Sequence, residues 1–302
     1  MIIRPRPNLL QLFFILRGSI VPRIAPQILG LAAYAVLVVW LSRRFGIDFG
    51  TGGLAPFTLL GVTLSIYLGF RNNAAFDRWW EARKLWGQMV FDVRNLARAA
   101  TGLIPAGSSH TRPLLMEALA FCHFLRGSLR AVDVSKDVVG FLGDELASVA
   151  GYQNKSDAML RRMGQRLGEL KTSGRIDAMD YRILDERLST LAALQAGCER
   201  IANTPLPFAY MLLLHRSAYL YCFLLPFGLA TSLGWLTPLF TAVIAYSFFG
   251  LDALSEELED PFGMEANDLP LDRMCRICEI SVFEALGEPA PAAMEAVDYF
   301  SS

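Results

Sequence analysis

Charged side chains are scarce. Asp, Glu, Lys and Arg make up 19% of the 302 residues, below the roughly 25% of a soluble domain. Neither sign prevails. Twenty-eight basic and 29 acidic residues leave a formal net charge of −1, so no global field draws the chain to nucleic acid. Histidine occurs only at positions 110, 123 and 215, with no pair at metal-ligand spacing. The sequence has no G-x-S-x-G and no glycine-rich phosphate loop ahead of a helix. These gaps count against an enzyme. The cysteines, Cys122, Cys198, Cys222, Cys275 and Cys278, are odd in number and scattered, which argues against a disulfide scaffold. Cys275 and Cys278 lack the second pair of a zinc ribbon and read as two thiols on one helix face. No strand pattern of useful length and no internal repeat occurs.

What is present is apolar. Hydrophobic residues reach 53% and the mean hydropathy is +0.36, which excludes a disordered chain and points to a membrane protein. Residues 25–42 carry no charge and meet the lower limit for a spanning helix. Residues 54–70 form a second charge-free stretch. As a helix it is about 25 Å long at about 1.5 Å per residue, so it spans fully only by continuing past 70. Residues 217–251 form the longest such run. A single helix there would measure about 52 Å, against a hydrocarbon core of roughly 30 Å. The run must break, and 231–238 holds Gly234 and Pro238. Extending its first half back to 208 puts His215 and Arg216 at the boundary. An ionisable group there is functional unless it snorkels to the head groups.

Residues 1–24 carry Arg4, Arg6, Arg17 and Arg23 around an apolar stretch at 9–16. Without a small-x-small cleavage site they read as a retained basic, interfacial helix. Four spans place both termini on one side, and the basic flanks put that side in the cytosol, although Arg43 and Arg44 fall in the opposite loop. The expected order is a lead-in at 1–24, two transmembrane segments at 25–70 and a cytosolic helical domain at 71–204. Two further transmembrane segments follow at 205–251, then an acidic cytosolic segment at 252–287 and a flexible tail at 288–302. Within 71–204 the pattern predicts helices at 75–99, continuing the second span, and at 114–129, 157–171 and 178–202. The fold class is an all-α membrane protein with its segments split two and two around a helical block.

Two features bear on function. Val62, Ile66 and Phe70 recur at i, i+4 and i+8 and share a helix face. Such a stripe either packs on other helices or, repeated around an axis, makes a constriction that gates by dewetting. Asp252, Glu256, Glu257, Glu259, Asp260, Glu265, Asp268 and Asp272 fall within 21 residues without Lys or Arg. They form either a solvated or Arg-paired loop or a cation site, though not with the spacing of an EF-hand.

Several motifs resemble one family. Leu68-Gly-Phe-Arg-Asn-Asn73 and Glu81-Ala-Arg-Lys-Leu-Trp-Gly87 are similar to the conserved stretch of bestrophins. So are Gly197-Cys-Glu-Arg-Ile201, Thr204-Pro-Leu-Pro-Phe-Ala-Tyr210 and Glu256-Glu-Leu-Glu-Asp-Pro-Phe-Gly263 with Asn267-Asp268. The order holds from about residue 1 to 285, with bacterial homologues resembling the chain most. The resemblance implies a homopentameric ion channel in the bacterial inner membrane, bounded by lipid, with no cofactor. It implies that Val62, Ile66 and Phe70 line an apolar pore neck. A second constriction, the cytosolic aperture, falls at Met179, with Ile176 the other candidate. The calcium clasp of animal relatives matches Glu257, Asp260, Glu265 and Asp268, but Met264 and Ala266 interrupt its acidic run, so calcium gating is not expected.

The resemblance to bacterial members also implies passage of monovalent cations such as sodium, and acidic mouths fit that sign. The alternative of the same architecture is an anion (chloride) channel, favoured by Arg71 or Arg200. The alternative of another class is a non-conducting membrane scaffold or regulatory protein.

Overall fold

The computed structural model describes residues 1–2, 8, 14–16, 18–47, 53–297 and 299–300. Apart from isolated bridges that pair Phe300 with Ile2 and Val297, the described residues form helices and their connections. Of the interfacial helix expected at 1–24, residues 3–7, 9–13 and 17 lie outside the described residues, and 21–24 fall within the helix Val21–Phe45. The chain divides into two units. One comprises Pro5–Trp79 and Pro205–Asp260, and the other Met1–Arg4, Trp80–Thr204 and Pro261–Ser302.

In the first unit, α1 spans Val21–Phe45. Pro22 sits in its first turn, where the missing N–H would have no partner in any case. The helix stops at Gly46, whose φ of 63° is left-handed and whose N–H donates to the Ser42 carbonyl. Arg43 and Arg44 occupy its last turn, where cations meet the negative end of the helix dipole. That accounts for two basic residues at this end of the helix. Helix α2 runs unbroken over Ala55–Leu103, so the second apolar stretch does continue past Phe70. Its residues up to Trp79 belong to this unit and the rest to the other.

The long apolar run turns where glycine permits. Helix α8, Phe208–Leu233, ends at Gly234 with φ of 53°, a single 3-10 turn follows, and α9, Thr237–Glu259, starts with Pro238 in its first turn. A Cβ at Gly234 would come within 2.5 Å of Arg43 Nη2. The two helices pair antiparallel, which Tyr219 on Phe249 at 4.5 Å and Tyr221 against Phe248 at 5.3 Å between ring centroids document. Helix α1 packs on both. Helix α2 approaches α8 closely. A Cβ at Gly61 would lie 2.6 Å from Tyr221 Oη, and one at Gly228 would lie 2.6 Å from the Phe57 ring, the use of small residues expected between membrane helices. Leu64, Leu68, Leu214, Cys222, Phe248 and Phe249 fill the core between them.

In the second unit, α3, Thr111–Arg130, is buried at every position from Leu114 to Gly127. Short helices α4, Ser135–Leu142, and α5, Leu146–Val149, precede a helical pair, α6, Lys155–Thr172, and α7, Ala178–Asn203. The pair turns at Ser173-Gly174, with φ of 68° at Gly174. Helix α10, Leu271–Leu286, packs on α3. The segment at 135–149 shows no long apolar period and is not foreseen as helical from sequence. Along α2, Ala82, Trp86, Met89, Val93, Leu96 and Ala100 form a fully buried stripe. Gly197 lets α7 approach it, since a Cβ there would stand 3.0 Å from Leu85. All five cysteines are free and buried. Burial pushes the Cys198 thiol up to about 12, and Cys122, hydrogen-bonded to Cys278, is likewise raised. Buried thiols of this kind are inert packing groups.

Candidate functional site

The α2 stripe is the starting point. Leu64, Leu68, Arg71 and Ala75 are buried and repeat at three- and four-residue steps. Val62, Ile66 and Phe70 lie on the nearly opposite face and are 55%, 52% and 61% exposed. The helix therefore uses one face for its own unit and leaves an apolar one uncovered. Thr63 and Ser65 turn their hydroxyls back onto the Leu59 and Gly61 carbonyls at 2.9 and 2.8 Å, which limits the polar surface this stretch presents.

One residue beyond Phe70, the chain buries a charge. Arg71 is 2% exposed and pairs through Nη1 with Asp252, which is 4% exposed. Asp252 Oδ2 also lies 2.7 Å from His215 Nδ1. The His215 ring rests on Tyr219 at 4.5 Å between centroids. Arg23 pairs with Glu256, and Asn72 donates to the Leu251 carbonyl at 3.1 Å. Arg78 Nε donates to the Glu259 carbonyl at 3.0 Å, while Glu259 Oε1 accepts the Leu206 N–H at 3.0 Å. The family-like motifs at 204–210 and 256–263 thus meet at Glu259, and the motif at 68–73 reaches α9 just ahead of them, at Leu251 and Asp252. Their legible signal in the sequence is positional: Arg71 and Asp252 each sit directly at the end of a charge-free run. Sequence reading singled out His215, Arg71 and Asp252 separately but did not foresee that they pair. His215, Asp252 and Glu256 also form the three-ligand cluster found among the described residues.

The remaining expected residues fall as follows. Met179 stands in the first turn of α7 and is 60% exposed, whereas Ile176, 4% exposed, is packed inside its unit. A capping box fixes that helix start. Asp177 Oδ1 accepts the Met179 and Asp180 N–H groups at 2.7 and 2.8 Å, and Asp180 returns the bond to the Asp177 N–H. Glu257 and Asp260 close α9 in the first unit. In the second, Asp268 Oδ2 accepts the Glu265 N–H at 2.7 Å, tying the two into one turn. Arg200 pairs with Glu81.

The Bacterial/Fungal Bestrophin protein family model matches residues 1–284. The chain belongs to the bestrophin family. It is similar to the crystal structure of a bacterial bestrophin homolog from Klebsiella pneumoniae, with a TM-score of 0.82 and 36% identity over 90% of this chain and 100% of that one. A protein of Mesorhizobium japonicum is 63% identical over all 302 residues and 97% of its own length, and the Escherichia coli K12 protein YneE is 40% identical over 94% of this chain and 93% of its own. Both are named voltage-dependent anion channel-forming proteins. This bestrophin is therefore an all-helical membrane protein of a channel family and not an enzyme.

The same names overturn the expectation of monovalent-cation passage, since the relatives that carry them match essentially end to end. The physical reason lies in the acidic segment that suggested cations. Asp252, Glu256 and Asp272 each pair with arginine, Asp272 with both Arg126 and Arg130 at 2.6 Å. Glu259 and Asp268 accept main-chain N–H groups. A carboxylate neutralised by its own chain adds little to the potential at a pore mouth.

Proposed function

We propose that five copies of this bestrophin assemble around an axis into an anion channel, with α2 of each copy facing the axis. The supporting observation is the uncovered stripe of Val62, Ile66 and Phe70 on the face opposite the one that α2 buries. Repeated five times, it makes an apolar neck, and the exposed Met179 makes the second constriction, which buried Ile176 does not reach. Two stretches among the described residues, Val21–Phe45 and Phe208–Glu259, are long and apolar enough to cross a membrane. Folded at Gly234, the second gives two crossings, and α2 supplies the fourth segment next to them, with both termini in the cytosol.

The anion preference does not rest on free arginine. Arg71 is paired and buried, and Arg200 is paired with Glu81. It follows instead from the neck wall. Aromatic edges carry partial positive charge, so a ring of five Phe70 edges attracts an anion at the narrowest, driest point. An apolar wall also imposes a dehydration barrier that is lowest for weakly hydrated ions.

The test is the reversal potential of purified protein in a planar bilayer under a potassium chloride gradient. Movement toward the chloride equilibrium potential is expected, with thiocyanate more permeant than chloride. Movement toward the potassium potential, or a monomeric mass in detergent, overturns the reading.

A further inference from the structure

We infer that a groove between α2 and α8 holds one acyl chain of an anionic phospholipid, whose phosphate pairs with Arg216. The groove measures about 470 Å³, within the range of ligand pockets. Phe57, Leu60, Leu213, Leu220 and Leu224 form its walls, over the buried Leu64 and Leu214. The inference rests on α2 and α8 crossing the membrane, which belongs to the proposed function, and not on current, ion sign or copy number.

Charge selects the occupant. Arg216 is exposed on α8. Positions three and four apart are neighbours on a helix surface, so Arg216 stands beside Leu213 and Leu220 on the rim of the groove. Its guanidinium has no ion-pair or hydrogen-bond partner among the described residues. Two other arginines of this unit are matched, Arg71 by Asp252 and Arg23 by Glu256. An unmatched arginine on the apolar face of a membrane helix calls for an anion.

Depth selects it further. Arg71 and Asp252 each end a charge-free run, and Asp252 reaches His215, the residue before Arg216. This layer is where the apolar surface stops. Tyr67 and Tyr210 line the same end of the groove, and Tyr210 Oη donates to the Tyr67 carbonyl at 3.4 Å. Tyrosines gather at the membrane–water boundary. From that end the groove runs toward Phe57 and Leu224. Between 213 and 224 a helix rises about 16 Å at about 1.5 Å per residue, close to one leaflet of a hydrocarbon core of roughly 30 Å. An arginine at the mouth of an apolar trough one leaflet long matches a phosphate joined to an acyl chain. A free phosphate would leave the trough empty. In a zwitterionic lipid the phosphate is already matched by its own ammonium, so an anionic lipid gains more from Arg216.

The experiment is native mass spectrometry of the purified full-length protein in detergent, titrated with phosphatidylglycerol and, separately, with phosphatidylcholine of the same acyl chains. One phosphatidylglycerol per chain is expected to bind saturably and about fivefold more tightly than phosphatidylcholine, the worth of one arginine at an anionic lipid surface. Arg216→Gln, at an exposed position that folding tolerates, is expected to abolish that difference. Arg44→Gln, which removes an exposed arginine from the opposite end of the spans, is expected to preserve it. Leu220→Trp, which fills the trough, is expected to weaken both lipids. Equal binding of the two lipids or indifference to Arg216→Gln overturns the site. So does the lack of any saturable lipid, which means that a neighbouring copy covers the groove. The count is read per chain and without current. A silent or monomeric protein that still binds phosphatidylglycerol through Arg216 therefore supports the site while overturning the channel.

Discussion

Helix α2 shows two surfaces along its length. Before Trp79 it exposes Leu59, Leu60, Val62, Ile66 and Phe70 and buries Leu64, Leu68 and Arg71. After Trp80 its apolar stripe from Ala82 to Ala100 is covered and its exposed positions are mainly polar. The second half is a finished core helix. The first half is unfinished by its own chain, with apolar surface on two sides and a buried ion pair between. In a protein of a membrane channel family, lipid or further copies complete it. On the proposed reading, an exposed hydrophobic stripe here is the pore surface, whereas the same residue types twenty positions later are packed in a core.

The strongest test of that contrast is the ion pair. Asp252→Ala leaves the Arg71 guanidinium buried without its carboxylate, and loss of one partner from a buried pair costs about 3–5 kcal/mol. That is a large part of a marginal stability of about 5–15 kcal/mol. The yield of folded protein in detergent and its melting temperature should fall sharply. Pairing Asp252→Ala with Arg71→Met should recover most of the loss, since two apolar groups need no partner. A double variant no better than the single one would mean that Asp252 acts through His215 instead.

In the second half, Trp86→Ala removes the largest fully buried side chain of the stripe. Truncation of a buried aromatic costs about 3–5 kcal/mol, read as a lower denaturation midpoint. In the first half, Ile66→Ala and Phe70→Ala remove comparable apolar groups from exposed positions and should change stability by about 0.5 kcal/mol or less. Both should raise single-channel conductance by lowering the dehydration barrier. Only Phe70→Ala should also reduce the preference for chloride over potassium, because it alone removes an aromatic edge. Unchanged currents in both would remove α2 from the pore.

Much of this was legible in the sequence, for physical reasons that differ by element. The helices at 114–129, 157–171 and 178–202 follow from apolar periodicity. The turn at Gly234 follows from a run too long for one crossing. The face of Val62, Ile66 and Phe70 follows from spacing alone, though spacing left both packing and pore open and favoured packing. The charges were not legible in the same way. Eight carboxylates in 21 residues look like a negative surface, yet their partners, Arg23, Arg71, Arg126 and Arg130, lie more than 100 positions away. Long-range pairing removes the acidic support for cations, and the ion sign implied by the resemblance to bacterial members is overturned by the relatives' names. The Glu117 carboxylate, buried on α3 and held by Arg162 at 3.2 Å and Arg166 at 2.7 Å, escaped notice for the same reason.

The smallest effect belongs to Arg200. Its pair with Glu81 is exposed at both ends, 62% and 47%, and such pairs are worth about 0–1 kcal/mol. Arg200→Gln should leave the free energy of unfolding within about 1 kcal/mol of the parent protein's. It should also leave the reversal potential unmoved, because a guanidinium already matched to a carboxylate contributes little net field, and salt screens what remains over about 10 Å. A measurable loss of chloride preference in Arg200→Gln would place the anion-selecting charge outside the neck. It would return the explanation of selectivity from the apolar wall of α2 to fixed charge beyond it.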